Sequence, residues 1–420
     1  MISSSKNLNF KSPKYVNIIN ILCVSVVALL VTGPFLSDLV VSFLSLWFLY
    51  YSLKNKIYSV YRNVYFYTFI AFWLICILSS LLSDDISLSL RSSLFYVRIG
   101  IFALLITYLI NINRKILDYF YYVFLITFSA LIVDGYVQYF TGTNLFGYKI
   151  GENYRVSSFF GSELILGSYL ARLFPLFFAL FIIRSDKSPL EVCAVSVLFI
   201  LIDILIFIAG ERTSFLLLNI STIFIIIFIS KYKWLRLGLF TLSSIIIIFL
   251  TFNAPKLYNR YIDSPLKNSN LLNKDEKINF FSPSHDHLMK TAWNMFLEKP
   301  ILGHGPKLFR VKCSDPKYKF NKDMSCDIHP HNFYFQLLAE TGFVGFSFLL
   351  CLFFHFIYLC LKHIIYYLKY KSALFSDYQI CLLAGLLITI WPLTTNGNIF
   401  TNHLMLFYSL QMGFFRRNIN

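Results

Sequence analysis

The stretch DIHPHNFYFQLLAETGFVG, residues 327–345, sets two histidines in front of a long apolar run. Pro330 biases His329 toward extended backbone and suits the first turn of a helix, which places His331 at or near that helix's N-terminus. The positive end of a helix dipole disfavours an imidazolium, and a neutral imidazole can take a proton from a hydroxyl. His331 is therefore a candidate catalytic base; a helix cap or an interfacial side chain is the plainer role for the same residue. Asn332, Gln336 and Glu340 follow at four-residue steps, which predicts a supporting polar stripe on one helix face. Gly342 and Gly345 predict close helix contact further along.

Other residue types point to anion binding. YRVSSFFGSELILGSYL brings Arg155 and Glu163 to the start of one apolar segment, and GERTSFLLL brings Glu211 and Arg212 to the start of another. An arginine there can snorkel to ordinary lipid phosphates. Its planar fork can also grip phosphate oxygens two at a time, which a diphosphate on a lipid carrier would need. Ionisable groups within apolar segments are costly and so stand out: Arg98, Asp134, Arg172 and Asp203. Asp134 or Asp203 is expected to neutralise Arg98 or Arg172; alternatively Arg172 lines a polar cavity. His285 with His287, and His329 with His331, form two His-x-His pairs, but their spacing does not define a zinc site, and no metal or other cofactor is expected. Cys313 and Cys326, thirteen residues apart in a polar loop, are candidates for a disulfide, whereas the other six cysteines lie in or near apolar segments.

The elements that must position these groups follow from composition. The chain has 420 residues, 57% hydrophobic and 14% charged, with 46 Phe and 28 Tyr. Apolar runs of membrane-spanning length recur throughout, which predicts an all-α polytopic membrane protein rather than a β-barrel. Twelve spans are expected, at 16–32, 35–53, 63–83, 94–112, 117–139, 162–184, 190–209, 214–230, 236–252, 333–364, 377–393 and 398–415. One large loop, 253–331, separates spans nine and ten, giving segments 1–252, 253–331 and 332–420 within one membrane domain.

The formal charge of +16 raises the question of nucleic acid. With the N-terminus inside, the inner segments hold eighteen Lys and Arg, among them Lys6, Lys11, Lys14, Arg236, Arg416 and Arg417. The short outer loops hold four, Arg91, Lys149, Arg155 and Arg212. Such asymmetry is the signature of membrane orientation, so the basic balance is topology and no nucleic-acid partner is expected. Both termini are then cytoplasmic, the first span is an uncleaved anchor, and the large loop lies outside. SHDHLMKTAWNMFLEKPILG within it reads as an amphipathic helix with Leu288, Ala292, Met295 and Phe296 on one face, ended by Lys299-Pro300.

HNFYFQLLAETGFVG fits the His-Asn, nine residues, Gly-x-x-Gly pattern of the O-antigen ligase and polymerase family. PILGHGPKLFR resembles the family's Pro-Leu-Leu-Gly-x-Gly segment, GERTSFLLL its arginine-bearing start of a late span, and RVSSFFGSELILGSYLARLFPL its earlier outer-loop motif. The resemblance covers roughly 150–410. It implies an inverting, metal-independent glycosyltransferase of the bacterial inner membrane, with its active site facing the periplasm. Such an enzyme passes a glycan from an undecaprenyl diphosphate carrier to an acceptor hydroxyl. The acceptor is lipid A-core in ligation, the first expectation, or a growing glycan in polymerisation. By resemblance His331 would activate the acceptor and Arg212 would hold the diphosphate. The chain departs from the family where many members carry an arginine before the loop's Pro: here SHDH stands, with His285 at that spacing. Diphosphate charge is then expected to be met by His285, His287, Lys290, Arg155 or Arg172. A lipid-linked glycan transporter is the rival class; it would place Asp134, Arg172 and Asp203 along a path through the bilayer.

Overall fold

The computed structural model describes residues 16–151, 154–268, 281–321 and 324–415. Lys6, Lys11, Lys14, Arg416 and Arg417, and the loop residues 269–280 and 322–323, lie outside the described residues. The first nine helices are α1 (Val16–Leu29), α2 (Pro34–Lys54), α3 (Val64–Leu81), α4 (Ile86–Leu94), α5 (Val97–Ile112), α6 (Lys115–Thr141), α7 (Leu166–Ile183), α8 (Pro189–Ile208) and α9 (Arg212–Phe228). There follow α10 (Lys233–Asn253), the short α11 (Pro255–Tyr258) and α12 (Ser264–Asn268), α13 (Pro283–Glu298), the short α14 (Phe309–Lys312), α15 (Phe333–Tyr370), α16 (Asp377–Thr389) and α17 (Asn402–Phe415). No strand forms among the described residues; two isolated bridges, Thr143 with Lys149 and Gly151 with Arg155, shape the loop before α7. The chain is an all-α polytopic membrane protein: among the described residues eight helical segments are long and apolar enough to cross a membrane, while α1, α9 and α16 are apolar but shorter.

Helix α7 is buried along nearly its whole length, against α6, α9 and α16. A helix apolar all round has no face for water and takes the centre of a bundle. By contrast α3, α10 and α15 bury little of themselves and leave long apolar faces outward, toward lipid.

Helix α15 differs from the single uninterrupted span expected over 333–364. It runs on to Tyr370 and breaks at Gly342, whose φ of 65° and ψ of −168° are non-helical. The break frees backbone groups that cannot stay unpaired in an apolar setting. The segment 300–305 supplies partners on both sides of the break: Phe343 N–H donates to Pro300 O at 2.8 Å and Val344 N–H to Ile301 O at 3.2 Å. In return His304 N–H donates to Ala339 O at 3.0 Å and Gly305 N–H to Glu340 O at 2.8 Å. A Cβ on Gly342 would lie 2.3 Å from Ile301 O, and one on Gly303 2.5 Å from Glu340 C, so only glycine allows this approach. PILGHG and the first glycine of GFVG are thus the two halves of one backbone joint. Gly342 meets this loop segment rather than another helix, and a Cβ on Gly345 would run into the side chain of Thr341 on its own helix.

The joint holds the loop domain to the bundle. Leu288, Ala292 and Met295 of α13 are buried with Phe309, Cys313, Tyr318 and Ala339, while Phe296 is half-buried; α13 stops at Glu298, as the Lys299-Pro300 pair implies. Cys313 and Cys326 are joined by a disulfide, Cα atoms 4.9 Å apart, which ties α14 to the stretch leading to His329.

Candidate active site

His331 sits in a seat made by three parts of the chain. Asn332 is the N-cap of α15: its side chain accepts from Tyr334 N at 2.9 Å and Phe335 N at 3.2 Å. The helix therefore begins at Phe333, and Pro330 does not occupy its first turn as the dipeptide suggested. His331 precedes the cap in the left-handed region, φ 55°. Its carbonyl accepts from Asn396 N–H at 2.8 Å, in the irregular stretch 390–401 between α16 and α17. Its imidazole is 29% exposed, with Nε2 lying 3.2 Å from Asp327 Oδ2. The ring lies tilted 4.1 Å from that of His329 and 5.0 Å edge-on from that of His285.

His285 comes from the first turn of α13, where Nδ1 meets Ser282 Oγ at 2.5 Å. Burial first, then the neighbouring His331 and Arg212, push its pKa down to about 4. His329 is buried, both ring nitrogens lack a hydrogen-bond partner among the described residues, and burial followed by His331 holds its pKa at about 4 as well. Both are neutral near pH 7.

Arg212 opens α9 within electrostatic reach of His285, Arg155 and Arg260. It is half-buried and makes no hydrogen bond or ion pair among the described residues. Arg155 donates from Nη2 to Leu164 O at 3.1 Å and from Nε to Ala209 O at 3.5 Å; its stem packs over Gly210. Arg260 donates from Nε to Gly210 O at 2.9 Å. Its neighbour Tyr261 fixes it by stacking on Phe207, centroids 4.2 Å apart, and by donating to Phe207 O at 2.6 Å. Arg155 and Arg260 are thus held by backbone carbonyls near the unbonded Arg212, and none of the three forms an ion pair with a carboxylate among the described residues. Such a nest of like charge is a site for a multiply charged anion.

Several expected site residues stand elsewhere. His287 packs on Phe320 at 5.4 Å; Lys290 lies over the same ring at 4.3 Å and pairs with Asp286 at 2.6 Å, so neither turns toward His331. Glu163 is exposed, with no side-chain partner among the described residues. Glu211 caps α7, accepting from Gly167 N at 2.7 Å, Ser168 N at 3.0 Å and Ser214 Oγ at 2.9 Å. The polar stripe is buried and already employed. Asn332 Nδ2 donates to Pro392 O at 2.8 Å; Gln336 donates to Asn398 Oδ1 at 2.8 Å and Glu340 Oε2 at 2.9 Å; Glu340 Oε1 accepts from Phe309 N at 3.0 Å. These side chains fasten the 390–401 stretch and the loop domain to α15.

The expected charge pairing is corrected outright. Arg98 pairs with Asp38 at 2.6 Å, and Asp203 pairs with Arg236 at 2.8 Å. Arg236, counted as a flanking inner-loop charge, is 1% exposed within α10. Asp134 accepts from Ser158 Oγ at 2.7 Å and Leu145 N at 2.8 Å, and Arg172 meets Asn396 Oδ1 at 2.7 Å and Ser168 Oγ. The spans alone could not rank partners from separate helices.

Three site residues escaped the sequence reading: Arg260, Asp327 and Asn396. Asp327 stands four residues before His331 and was within the quoted motif; its carboxylate type was the available signal. Arg260 and Asn396 carry no local pattern. Among the described residues no group of three or more His, Cys, Asp or Glu is placed to hold a metal ion.

Fold and site together define a polytopic helical membrane protein with a histidine–carboxylate pair beside a cationic nest. Residues 195–350 match the family model described as O-antigen ligase. The match contains Arg212, Arg260, His285, Asp327, His331 and the Gly342 joint. No curated protein matches the chain. The family carries glycosyltransferase activity of the O-antigen ligase and polymerase type, with lipid-linked glycans and their acceptors as partners in general, and its setting is a bacterial membrane.

Proposed function

We propose that the protein transfers a glycan from undecaprenyl diphosphate to an acceptor hydroxyl at the periplasmic face of the inner membrane, with ligation to lipid A-core as the reaction and glycan polymerisation as the second reading. The observation that carries this is the convergence of His331, His285 and Arg212, which are far apart in sequence. In this reading Asp327 holds His331 Nε2, which leaves Nδ1 to take the acceptor's hydroxyl proton. The acceptor oxygen attacks the anomeric carbon as the bond to the diphosphate breaks from the opposite side, inverting the centre. The leaving diphosphate carries its charge into the Arg155, Arg212 and Arg260 nest, where pre-aimed donors stabilise it. Neutral His285, at the spacing where many relatives place arginine, supplies a hydrogen bond instead of a charge. An apolar cavity of about 520 Å³ passes Phe333 and Ile399, close in sequence to His331 and Asn396, and gives room for a hydrocarbon chain. Metal-independence is part of this proposal.

Deleting the gene and resolving the lipopolysaccharide ladder tests it. Loss of all capped bands with accumulation of carrier-linked polymer supports ligation; a single-repeat band supports polymerisation. An unchanged ladder with unchanged carrier-linked glycan contradicts both.

A further inference from the structure

Arg172 poses a physical problem that the transfer chemistry does not solve. It lies inside α7, 2% exposed, where an ionised group is costly unless paired. No carboxylate lies within ion-pairing distance among the described residues, and its Nε has no hydrogen-bond partner there. Glu211 is near enough to act electrostatically, but its oxygens are taken by Gly167 N, Ser168 N and Ser214 Oγ. Enclosed in this way, Arg172 cannot be a contact for a diphosphate entering from solvent or lipid.

Its hydrogen bonds lead instead to the catalytic seat. Arg172 Nη2 donates to Asn396 Oδ1 at 2.7 Å, and the backbone N–H of the same Asn396 donates to His331 O at 2.8 Å. A left-handed backbone at a non-glycine residue is costly and persists only when its surroundings hold it. The 390–401 stretch does the holding. It has no regular structure of its own, and Thr394, Asn396 and Asn398 within it are buried. Asn332 and Gln336 of α15 grip it, and Thr213 Oγ1 of α9, next to Arg212, meets Thr395 Oγ1 at 2.8 Å. The stretch thus joins the histidine side of the site to the arginine side, with Arg172 bonded near its middle.

We infer that Arg172 is a positioning residue: through Asn396 it fixes the backbone of His331 and registers the imidazole against the arginine nest. This rests on the reading of His331 as the base. The effect of losing such registration is large for a small movement, since about 1 Å of misplacement can lower a rate on the order of 100-fold.

A mutant cycle on purified, membrane-reconstituted protein with carrier-linked donor tests it. Arg172→Met and Asn396→Ala should each lower kcat about 10–100-fold with donor KM unchanged. The double variant should be no slower than the slower single, because both act through one link. Asn396→Asp, which keeps an oxygen for Arg172, should keep near-normal kcat. If Arg172→Met does not fold, Arg172→Lys replaces it in the cycle. Losses that multiply in the double variant, or a raised donor KM at unchanged kcat, would overturn the inference. His331→Ala, run alongside, separates the two levels. If it retains transfer, the reading of His331 as base fails; if it abolishes transfer while the cycle is additive, only the role of Arg172 fails.

Discussion

Arg236 and Arg212 both belong to apolar helices, yet they are treated in opposite ways. Arg236 is enclosed: it grips Asp203 with two bonds of 2.8 and 2.9 Å, donates to Thr222 Oγ1 at 3.0 Å, and lies over the Phe174 ring at 4.6 Å. Ser243 Oγ donates to the same carboxylate at 3.0 Å. Every strong donor and acceptor there except Arg236 Nε has a partner, so the cluster is closed to a ligand. Arg212 stands half-open beside two more arginines, and none of the three forms an ion pair among the described residues. A charge that a membrane protein neutralises within itself serves the fold. A charge it leaves without an ion pair, at a half-open position, awaits a partner from outside. The rule that ionisable residues in spans are functional by default separates these cases only when the partner is identified.

The sharpest way to break this contrast is to remove one partner from the closed cluster. Asp203→Ala leaves a buried guanidinium without its carboxylate and should destabilise the protein by about 3–5 kcal/mol. Thermal unfolding in detergent checks it. Asp203→Leu with Arg236→Met should restore much of the stability and leave transfer intact, since neither residue touches the site. Wild-type stability in Asp203→Ala would show the cluster is not closed.

At the open site the same kind of change should leave stability alone and remove function. Arg212→Ala is expected to lower transfer about 10²–10³-fold, the effect of losing one charge-stabilising donor. Arg212→Lys should recover only part of it, because an ammonium cannot reproduce the bidentate fork. Steady-state kinetics with carrier-linked donor decide the matter. Full turnover in the lysine variant would mean that Arg212 merely meets lipid phosphates.

The smallest expected effect is a pH response of the loop. His285 and His329 have folded pKa values of about 4 against an ordinary value of 6.5, so folding favours their neutral forms. Their contribution is fully present above about pH 6.5. It declines as the pH falls from there toward 4, because the unfolded chain takes up protons first. Melting temperature should therefore drop between pH 7 and pH 5, and His329→Gln should reduce that drop. An equal drop in the variant would assign it to other groups.

Much of the fold was readable from the sequence. Long apolar runs bounded by basic residues placed the helices from α1 to α10, except α4, and from α15 to α17 within a few residues, since span length and polar flanks are local properties. The break at Gly342 was not readable, because a glycine in an apolar run is equally compatible with helix packing; only the 300–305 segment from the loop reveals that backbone partners exist for a broken helix. At the site, His331, Arg212 and His285 could be named from motif and spacing. Their relation to Arg260 and Asn396 could not, since both lie in irregular segments whose placement depends on tertiary contacts. The polar stripe of Asn332, Gln336 and Glu340 was visible as a pattern, but the pattern does not say whether it faces a substrate or another part of the chain.

The central claim is that His331 takes the acceptor's proton, and two single variants test it most directly. His331→Ala and His329→Ala are compared at matched membrane expression, by rate of glycan transfer from carrier-linked donor. His331→Ala should remain folded and inserted yet lose about 10²–10⁴-fold in rate, the usual worth of general-base catalysis. His329→Ala should lose far less, because its ring is buried and only packs against that of His331. Near-normal transfer by His331→Ala would contradict the account.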